Sequence, residues 1–429
     1  MNHSNKRAVN YSDADKRKII NDPVHGFIKI PSAFIYEIIE HPFFQRLRRI
    51  RQLGLTSYVY PGAMHTRFQH ALGAAHLMGM AIQNIRLKGL EITDEEAEAA
   101  TIAILLHDIG HGPFSHALEQ SIIENFNHED ISELLMDELN HKFNGKLDLA
   151  LRIFNNKYHK KFLHQLVSSQ LDMDRLDYLK RDSFYTGVSE GVIGSDRIIK
   201  MLNVVEDNLV VEAKGIYSIE NFLIARRLMF WQVYLHKTVL AAENLVSKIL
   251  HRAKQVTRDD KNLFAANGLN YFFRNDITRE NLFRKRNDII ANFVNLDDND
   301  IIASVKVWIN HQDKVLSALS GNLINRKLPK IIIREQPFEK KYLDEMTRQA
   351  AEISKWNIKD AGYIVFTGSI SNKAYSEMDD KIKILYKSGE TKEIVDASDI
   401  FNISVLSKIV KKYFLCYPDF MSKWINSGY

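Results

Sequence analysis

The sequence predicts a mainly α-helical protein with a smaller C-terminal part that mixes helices and strands. Apolar residues recur at helical spacing through most of the first 255 residues, and beyond that point charged helical patterns alternate with β-rich segments. The 19 glycines and 8 prolines among 429 residues are too few for an all-β protein. With 45% hydrophobic and 26% charged residues, the chain has the composition of an ordinary globular protein with a sizeable core.

The predicted elements begin with a hairpin over 21–31, where residues alternate around turn formers. The helix over 66–88 carries small residues that allow close packing, the helix up to residue 106 starts at a capping box over 93–96, and Asn127 is a good N-cap for the helix over 128–140. The other predicted elements are helices over 32–52, 162–182 and 218–253, a strand pair over 204–213, and strands over 330–334, 363–367 and 381–386, the last followed by a turn at Ser388-Gly389.

Three parts of the chain follow from this pattern. We predict that residues 1–17 form a flexible arm, that residues 18–255 form a helical domain, and that residues 256–429 form an α+β lobe packed on this domain. No apolar run approaches the roughly 20 residues of a membrane span, and the polar N-terminus lacks a signal-peptide core. Cys416 is the only cysteine, which excludes an intrachain disulfide and a cysteine-rich zinc site. We therefore expect a cytoplasmic protein, whose net charge of +5 permits anionic ligands without demanding nucleic acid.

The helix that ends near residue 106 carries two ionisable groups at its end. Residues 102–106 are apolar on every side, so this helix should be interior. His107 and Asp108 then lie in or near the core, where such groups are costly unless they are paired or bound to a metal. The His107-Asp108 dipeptide alone is weak evidence for a functional site, but 7 of the 16 histidines lie within the 64 residues from His65 to His128.

A metal site is one use for this cluster. The helix over 66–88 places Arg67 and His70 on one face, and the helix over 162–182 does the same for Asp174, Tyr178 and Asp182. If His70, His107, Asp108 and Asp174 converge, they form a site with two nitrogens and two oxygens. Such a set suits Mn, Fe, Mg, Ni or Zn in a catalytic role, in which the divalent metal ion polarises a phosphoryl oxygen. The alternative is a set of hydrogen-bonded core histidines, which we favour for any single histidine such as His76 but not for the cluster.

The segments around these residues resemble a known family. The matching segments are 21–26 (NDPVHG), 44–48 (FQRLR), 51–54 (RQLG), 60–70 (YPGAMHTRFQH), 107–116 (HDIGHGPFSH), 127–129 (NHE), 172–178 (DMDRLDY) and 234–237 (YLHK). Their order is that of the HD-domain phosphohydrolases. The resemblance is closest to the dNTP triphosphohydrolase branch, which includes the sterile-alpha-motif and HD-domain enzyme and the bacterial dGTPase-like enzymes. We expect the bacterial type without a sterile-alpha-motif domain, and the last 170 or so residues match no motif.

The resemblance implies a mainly α fold with an HD-domain helical core at about residues 66–182, inside a catalytic domain over 18–255, and a smaller α+β C-terminal lobe. It implies roles for single residues as well. The implied metal ligands are His70, His107, Asp108 and Asp174; the triphosphate arginine is Arg67, with Arg175, Tyr178 and Arg226 also on the phosphate side. The residues implied near the scissile bond are His116, His128 and Glu129; those of the sugar pocket are Gln52, Leu53, Tyr178 and Asp182; and Tyr234 lies near the base.

The family also has a nucleotide activator site between subunits. Lys18, Asn21, Gln45 and Arg48 agree with its guanine positions, whereas Glu40 departs from the aspartate of the family's activator-bound member. The resemblance therefore implies a homo-oligomer, with a tetramer favoured, and a guanine-nucleotide activator. The longer Glu40 side chain leaves constitutive activity as the alternative.

The expected activity is metal-dependent hydrolysis of a dNTP to deoxynucleoside and inorganic triphosphate. Another HD phosphohydrolase, acting on nucleoside monophosphates, alarmones or cyclic dinucleotides, is the nearest alternative, against which the Arg67, Gln52 and Tyr178 matches argue. The other alternative is a nucleic-acid-binding regulator that keeps the HD fold, against which the intact ligand set argues. A basic cluster at 46–51 (Arg46, Arg48, Arg49 and Arg51) is either a solvated helix face or a secondary site for single-stranded nucleic acid.

Overall fold

The computed structural model describes residues 18–114, 127–259, 263–278, 284–372, 381–398 and 410–426. Helices dominate this part of the chain, and three small sheets accompany them, so the predicted fold class is confirmed. The arm predicted over 1–17 and His116 lie outside the described residues. Among the described residues, no helix combines the length and apolar character needed to cross a membrane.

The helices and strands follow the sequence in this order. The helices are α1 Ala33–Glu40, α2 Pro42–Gln45, α3 Arg67–Leu87, α4 Asp94–Leu106, α5 His128–Lys142, α6 Asp148–Phe154, α7 Lys161–Val167, α8 Met173–Thr186, α9 Ser195–Met201, α10 Ile216–Met229, α11 Lys237–Asp259, α12 Asn267–Arg274, α13 Arg286–Phe293, α14 Asp298–Trp308, α15 Lys314–Ile324, α16 Lys340–Ser354, α17 Ile358–Ala361, α18 Ile394–Ala397 and α19 Ser422–Asn426. The strands are β1 Ile19–Asp22, β2 Gly26–Lys29, β3 Leu202–Val205, β4 Asn208–Glu212, β5 Lys330–Arg334, β6 Phe366–Asn372, β7 Lys383–Leu385, β8 Thr391–Glu393 and β9 Val410–Tyr417.

The helix predicted over 32–52 is wrong as a single element. His41 has extended backbone (ψ 138°), and its Nδ1 accepts a hydrogen bond from the Phe43 backbone N–H, so it caps the short helix that starts at Pro42. Proline suits the first position of a helix but disrupts a helix interior. The chain therefore turns here, and a 3₁₀ turn over Arg46–Arg49 follows.

The helices predicted over 162–182 and 218–253 are also broken. Asp172 caps α8, since its Oδ1 accepts from the Arg175 N–H at 2.7 Å, which separates α8 from α7. A π-helical turn over Phe230–Tyr234 lies between α10 and α11. Such turns are frequent at functional sites, because they re-aim the side chains that they carry. The predicted one-face relation of Asp174 and its neighbours survives, because these residues all lie on α8.

Helix α3 is the centre of the helical core and packs against α4 and α8. Close contact with α8 depends on Gly73, where an added Cβ would lie 2.0 Å from Asp177 Oδ1 and 2.3 Å from Arg181 Nη2. One continuous set of buried apolar side chains runs from Ile28 to Met421, so the C-terminal lobe shares the core of the helical domain. The predicted boundary near residue 255 stays a prediction.

The C-terminal strands join both parts of the molecule. Strand β7 pairs in parallel with β4, so the four-stranded sheet has the order β3-β4-β7-β8. The second sheet has the order β5-β9-β6, in which the central strand β9 was missed by the sequence analysis. The strand predicted over 363–367 starts later, at Phe366, because residues 363–365 are the turn that follows α17.

One arginine of the basic cluster lies inside the protein. Arg46 is completely buried, donates to the backbone oxygens of Ile109, His111 and Leu296, and lies 4.6 Å from the Phe293 ring. Burial lowers the pKa of its guanidinium to about 9. The interpretation as a solvated helix face is thus wrong for Arg46. Binding of single-stranded nucleic acid stays a prediction, for which the exposed Arg48 and Arg49 remain.

Asp298, at the start of α14, binds two loops of the helical domain. Its Oδ2 accepts from the Arg51 N–H at 2.9 Å, and its Oδ1 accepts from the Phe114 N–H at 3.3 Å. Phe114 has a positive φ of 49°, a conformation that is costly for a residue other than glycine. The carboxylate of Asp298 therefore holds a strained backbone in place.

Asp298 is expected to make stability depend on pH, because burial raises its pKa to about 6. In the unfolded chain an aspartate ionises near pH 3.9. Above about pH 6 the buried carboxylate is ionised in the folded state, which lowers the stability of the fold. As the pH falls from 6 towards 4, the carboxyl group is protonated in the folded state before it is protonated in the unfolded chain, so the stability rises. The stability of the wild type relative to Asp298→Asn should rise by about 1.4 kcal/mol from pH 8 to pH 5. Urea unfolding of both proteins at both pH values measures this, and an unchanged difference would contradict it.

Candidate metal centre and substrate cavity

The first two candidate ligands lie at the end of α4. A capping box starts this helix: Thr93 Oγ1 accepts from the Glu96 N–H at 3.1 Å, and Glu96 Oε2 accepts from the Thr93 N–H at 2.8 Å. His107 follows the last helical residue, and its Nδ1 donates to the Ile104 oxygen at 2.6 Å. Asp108 is buried beside it, with Oδ1 3.3 Å from His107 Nε2.

His70 on α3 and Asp174 on α8 complete the group. Asp174 Oδ1 lies 3.0 Å from His70 Nε2 and 3.5 Å from His107 Nε2. Asp108 Oδ2 lies 3.8 Å from His70 Nε2. The structure thus brings together all four residues predicted as metal ligands, from three different helices or their ends.

The donor set fits a divalent cation. The Nε2 atoms of His70 and His107 are buried and have no hydrogen-bond partner within the described ranges. Their Nδ1 atoms are already bonded, to Asp177 and to the Ile104 oxygen, which directs both Nε2 atoms towards Asp174. Burial alone would lower the pKa of His70, but Asp174 and Asp177 raise it to about 10. Negative charge is therefore in excess around this imidazole. A group with surplus negative charge and two directed imidazoles is what such a cation requires.

A buried network that the sequence analysis missed supports His70. Asp177 on α8 accepts from His70 Nδ1 at 2.8 Å, from His25 Nε2 at 2.6 Å and from Arg181 Nε at 2.9 Å. Arg181 also donates through Nη1 to Asp22 Oδ2 at 2.7 Å. His25 and Asp22 belong to the hairpin segment 21–26, which resembles the family. The resemblance therefore marked this segment as important, but its sequence does not indicate that the segment packs against α8.

A second histidine cluster adjoins the first. His111 Nε2 lies 3.2 Å from Asp108 Oδ1, and the His111 ring stacks on that of His128 with 3.9 Å between ring centroids. Burial and the charge of Arg67 lower the pKa of His111 to about 3, so this imidazole is neutral at physiological pH. His128 thus stacks on a histidine that contacts the candidate ligand Asp108, and Glu129 beside it is exposed. The roles of His128 and Glu129 near the scissile bond stay predictions. His111 received no role in the sequence analysis.

A cavity of about 630 Å³ opens next to this centre. Six residues predicted to bind substrate line it: Gln52, Leu53, Arg67, Tyr178, Asp182 and Tyr234. Arg67 connects the cavity to the candidate ligands, because its Nη1 donates to Asp108 Oδ2 at 2.5 Å. Asp182 accepts from Tyr234 Oη and pairs with His65 Nε2, both at 2.7 Å.

Arg175 and Arg226, also predicted to bind phosphate, are not part of the cavity lining. Both lie close enough to Tyr178 for their charges to act on its hydroxyl, although burial has the larger effect and raises its pKa. In the described structure, the buried Nε of Arg175 and the buried Nε and Nη1 of Arg226 have no hydrogen-bond partner. Buried guanidinium N–H groups of this kind suit an anionic ligand.

The predicted activator residues lie on the hairpin and around α2. Gln45 Nε2 donates to the Ile39 oxygen at 2.8 Å, and Arg48 Nε donates to Gln45 Oε1 at 2.8 Å. Lys18 Nζ lies 5.1 Å from the centre of the Tyr36 ring, and Asn21 is exposed. The activator role of these residues stays a prediction.

Comparisons with known proteins agree with this geometry. The family model "HD domain" matches residues 67–182, and the model "HD associated region" matches residues 193–271. A solved phosphohydrolase from Bacteroides thetaiotaomicron is 56% identical, with a TM-score of 0.91, and the match covers 94% of this chain and 100% of that chain. The uncharacterized protein YwfO of Bacillus subtilis is 32% identical, and the match covers 94% of this chain and 92% of that protein.

A relative that matches a shorter part of the chain carries a more specific name. The deoxynucleoside triphosphate triphosphohydrolase SAMHD1 homologue of Dictyostelium discoideum is 34% identical over 266 residues, a match that covers 58% of this chain and 51% of that protein. The matched segments, the convergent His and Asp side chains and the full-length similarity to a solved phosphohydrolase lead to one assignment. The chain belongs to the HD-domain family of phosphohydrolases.

Proposed function

We propose that this protein hydrolyses deoxynucleoside triphosphates to deoxynucleoside and inorganic triphosphate. The proposal rests on one observation, which is that Arg67 joins the candidate metal centre to the cavity. This residue bonds Asp108 of the candidate metal centre and lines the cavity together with Gln52 and Tyr178. A guanidinium in that position can bind phosphate oxygens beside a metal-bound phosphoryl group. The name of the Dictyostelium relative supports the choice of substrate.

The residues around the phosphate have different proposed roles: metal binding, triphosphate binding and proton transfer. His70, His107, Asp108 and Asp174 would hold Mn, Fe, Mg, Ni or Zn, which when bound supplies Lewis-acid polarisation of a phosphoryl oxygen. Arg67, Arg175 and Arg226 would bind the triphosphate, for which guanidinium groups have matching geometry. We assign the protonation of the leaving 5′-oxygen to His128 and to His116, with Glu129 beside them. The last three roles rest on the family resemblance.

The sugar end of the cavity supports a deoxyribose. Gln52 Oε1 is buried and lacks a hydrogen-bond partner among the described residues, so it can accept from a 3′-hydroxyl. Leu53, Tyr178 and Asp182 lie in the same lining. Side chains packed against the sugar at this position would reject a 2′-hydroxyl by steric clash.

The direct test is product analysis of the metal-loaded protein with each dNTP, singly and mixed. Deoxynucleoside plus inorganic triphosphate is the expected result. Deoxynucleoside monophosphate plus pyrophosphate would overturn the cleavage position. Turnover of nucleoside monophosphates, alarmones or cyclic dinucleotides, with none of dNTPs, would assign the chain to another branch of HD phosphohydrolases.

Sugar discrimination gives a second expected result. The wild type should hydrolyse dATP with a kcat/KM at least about tenfold above that for ATP, the scale that a shape-selective pocket reaches. Tyr178→Ala should reduce this ratio, even where it lowers the rate. Tyr217→Ala is the matched control, because Tyr217 is exposed and absent from the lining. Equal kcat/KM for ATP and dATP in the wild type would contradict the assigned sugar pocket.

We further propose regulation by a guanine nucleotide in a homo-oligomer, with a tetramer favoured. The proposed site contains Lys18, Asn21, Gln45 and Arg48. Its support is the family resemblance together with the bonded pair of Gln45 and Arg48, which presents an exposed guanidinium on this surface.

A further inference from the structure

His65 contacts two walls of the cavity and has no role in the function proposed above. Its side chain is completely buried, and its Nε2 lies 2.7 Å from Asp182 Oδ1 on α8. Its backbone oxygen accepts from the Gln52 N–H at 3.0 Å. Gln52 and Asp182 both line the cavity, in the part assigned to the sugar.

We propose that His65 is a positioning residue that holds these two walls in place and thereby determines the discrimination between deoxyribose and ribose. The inference rests on the proposed function, since it concerns the sugar of the same substrate. His65 is absent from the cavity lining, so it acts through Asp182 and through the segment that carries Gln52.

The segments that carry Gln52 and His65 are joined through their backbones. Arg51 and Thr66 form an antiparallel bridge next to the hydrogen bond between Gln52 and His65. Paired backbone bonds fix such segments to each other as in a small sheet. A displacement of His65 is therefore passed on to Gln52 and to its neighbour Leu53.

The bond to Asp182 needs the His65 ring in one orientation. The ring stacks on that of Tyr185, with 4.5 Å between ring centroids and an interplanar angle of 19°. Tyr185 Oη in turn accepts from Gln69 Nε2 at 3.0 Å. In the described part of the chain, the buried Nδ1 of His65 has no hydrogen-bond partner. The ring hydrogen therefore belongs on Nε2, where Asp182 accepts it.

Asp182 extends this arrangement to a third element. Its Oδ2 accepts from Tyr234 Oη at 2.7 Å, and Tyr234 belongs to the π-helical turn that follows α10. Burial and the charge of Asp182 hold the pKa of the Tyr234 hydroxyl well above its usual range, so this hydroxyl stays protonated and donates. Each oxygen of Asp182 thus has a fixed donor. Without the His65 donor, one buried oxygen would lose its partner, and the carboxylate would turn within the lining.

The test compares the ratio of kcat/KM for dATP to kcat/KM for ATP in the wild type and in variants. His65→Phe keeps the stacked ring and removes the donor, so the ratio should fall from at least about tenfold to about threefold or less. His65→Gln keeps an N–H donor and should retain most of the wild-type ratio. Tyr185→Leu, which removes the stacked ring but not His65, should lower the ratio in the same direction, whether or not His65→Phe folds.

His164→Phe is the matched control. His164 on α7 is half-buried, and its Nδ1 donates to the Ile153 oxygen at 2.9 Å, but it is absent from the cavity lining. This variant also loses a histidine hydrogen bond, so it should lose thermal stability without a change in the ratio. A ratio that falls as far in His164→Phe as in His65→Phe would reflect a general loss of structure and would overturn the positioning role.

Binding of free nucleosides separates this inference from the proposed function. Calorimetry with deoxyadenosine and adenosine measures sugar discrimination without any cleavage. A preference for deoxyadenosine that His65→Phe removes and His65→Gln keeps would support the inference even in a protein that hydrolyses no dNTP. An unchanged ratio in a folded His65→Phe protein that hydrolyses dATP would overturn the inference and leave the proposed function standing.

Discussion

Replacing Asp174 by asparagine is expected to strip the bound metal and to lower dNTP turnover by more than about 100-fold. Loss of a residue that only supports a metal ligand already costs about 10- to 100-fold, and Asp174 is itself a candidate ligand. Its Oδ1 lies close to both directed imidazoles, 3.0 Å from His70 Nε2 and 3.5 Å from His107 Nε2. The substitution keeps the shape of the side chain and removes its charge.

The variant should fold, so metal content can be measured directly. Mass spectrometry of the purified wild type, Asp174→Asn and the control Asp94→Asn gives the metal bound per chain. Asp94 is a suitable control, because its side chain is fully exposed at the start of α4. Metal content in Asp174→Asn equal to that of the wild type would refute the ligand assignment. Lost metal with an unchanged rate would refute metal-dependent catalysis.

Helix starts were predictable because their causes are local. The capping box of α4 and the Asn127 cap of α5 involve residues within three positions of each other, and both appear as predicted. The break before α8 also has a local cause, the Asp172 cap, but the apolar residues keep a helical spacing on both sides of the breaks at 168–172 and 230–236, so single helices were predicted across them. Strand β9 was missed, and its partners β5 and β6 lie more than 35 residues away along the chain, so no hairpin turn marks it in the sequence.

In the candidate site, too, some residues could be predicted from the sequence and others could not. Its four central residues could be predicted because they lie in segments that resemble a family. Asp177 was not singled out, since its value depends on the meeting of α3, α8 and the N-terminal hairpin. Phe414 and residues 367–370 lie in no such segment, and only the packing of the C-terminal lobe brings them to the cavity.

Asp177→Asn is expected to cost about 3 to 5 kcal/mol of unfolding free energy, the scale for breaking a buried ion pair. Asp177 and Arg181 are both completely buried, and hydrogen bonds from Arg181, His25 and His70 keep the pKa of Asp177 well below its usual range. An amide cannot balance the charge of Arg181, which among the described residues then retains Asp22 as its charged partner. The matched control is Asp137→Asn, which breaks a half-exposed pair with Arg286 and should cost at most about 1 kcal/mol.

The same substitution should also weaken metal binding by about 10- to 100-fold, because the asparagine amide can no longer hold the His70 ring through a charged acceptor. Metal affinity is measured by chelator competition at a temperature well below the unfolding transition of the variant, so that loss of fold does not contribute. A stability loss no larger than that of Asp137→Asn would contradict the buried network as a source of stability. Wild-type metal affinity in the folded variant would instead show that His70 keeps its orientation without Asp177.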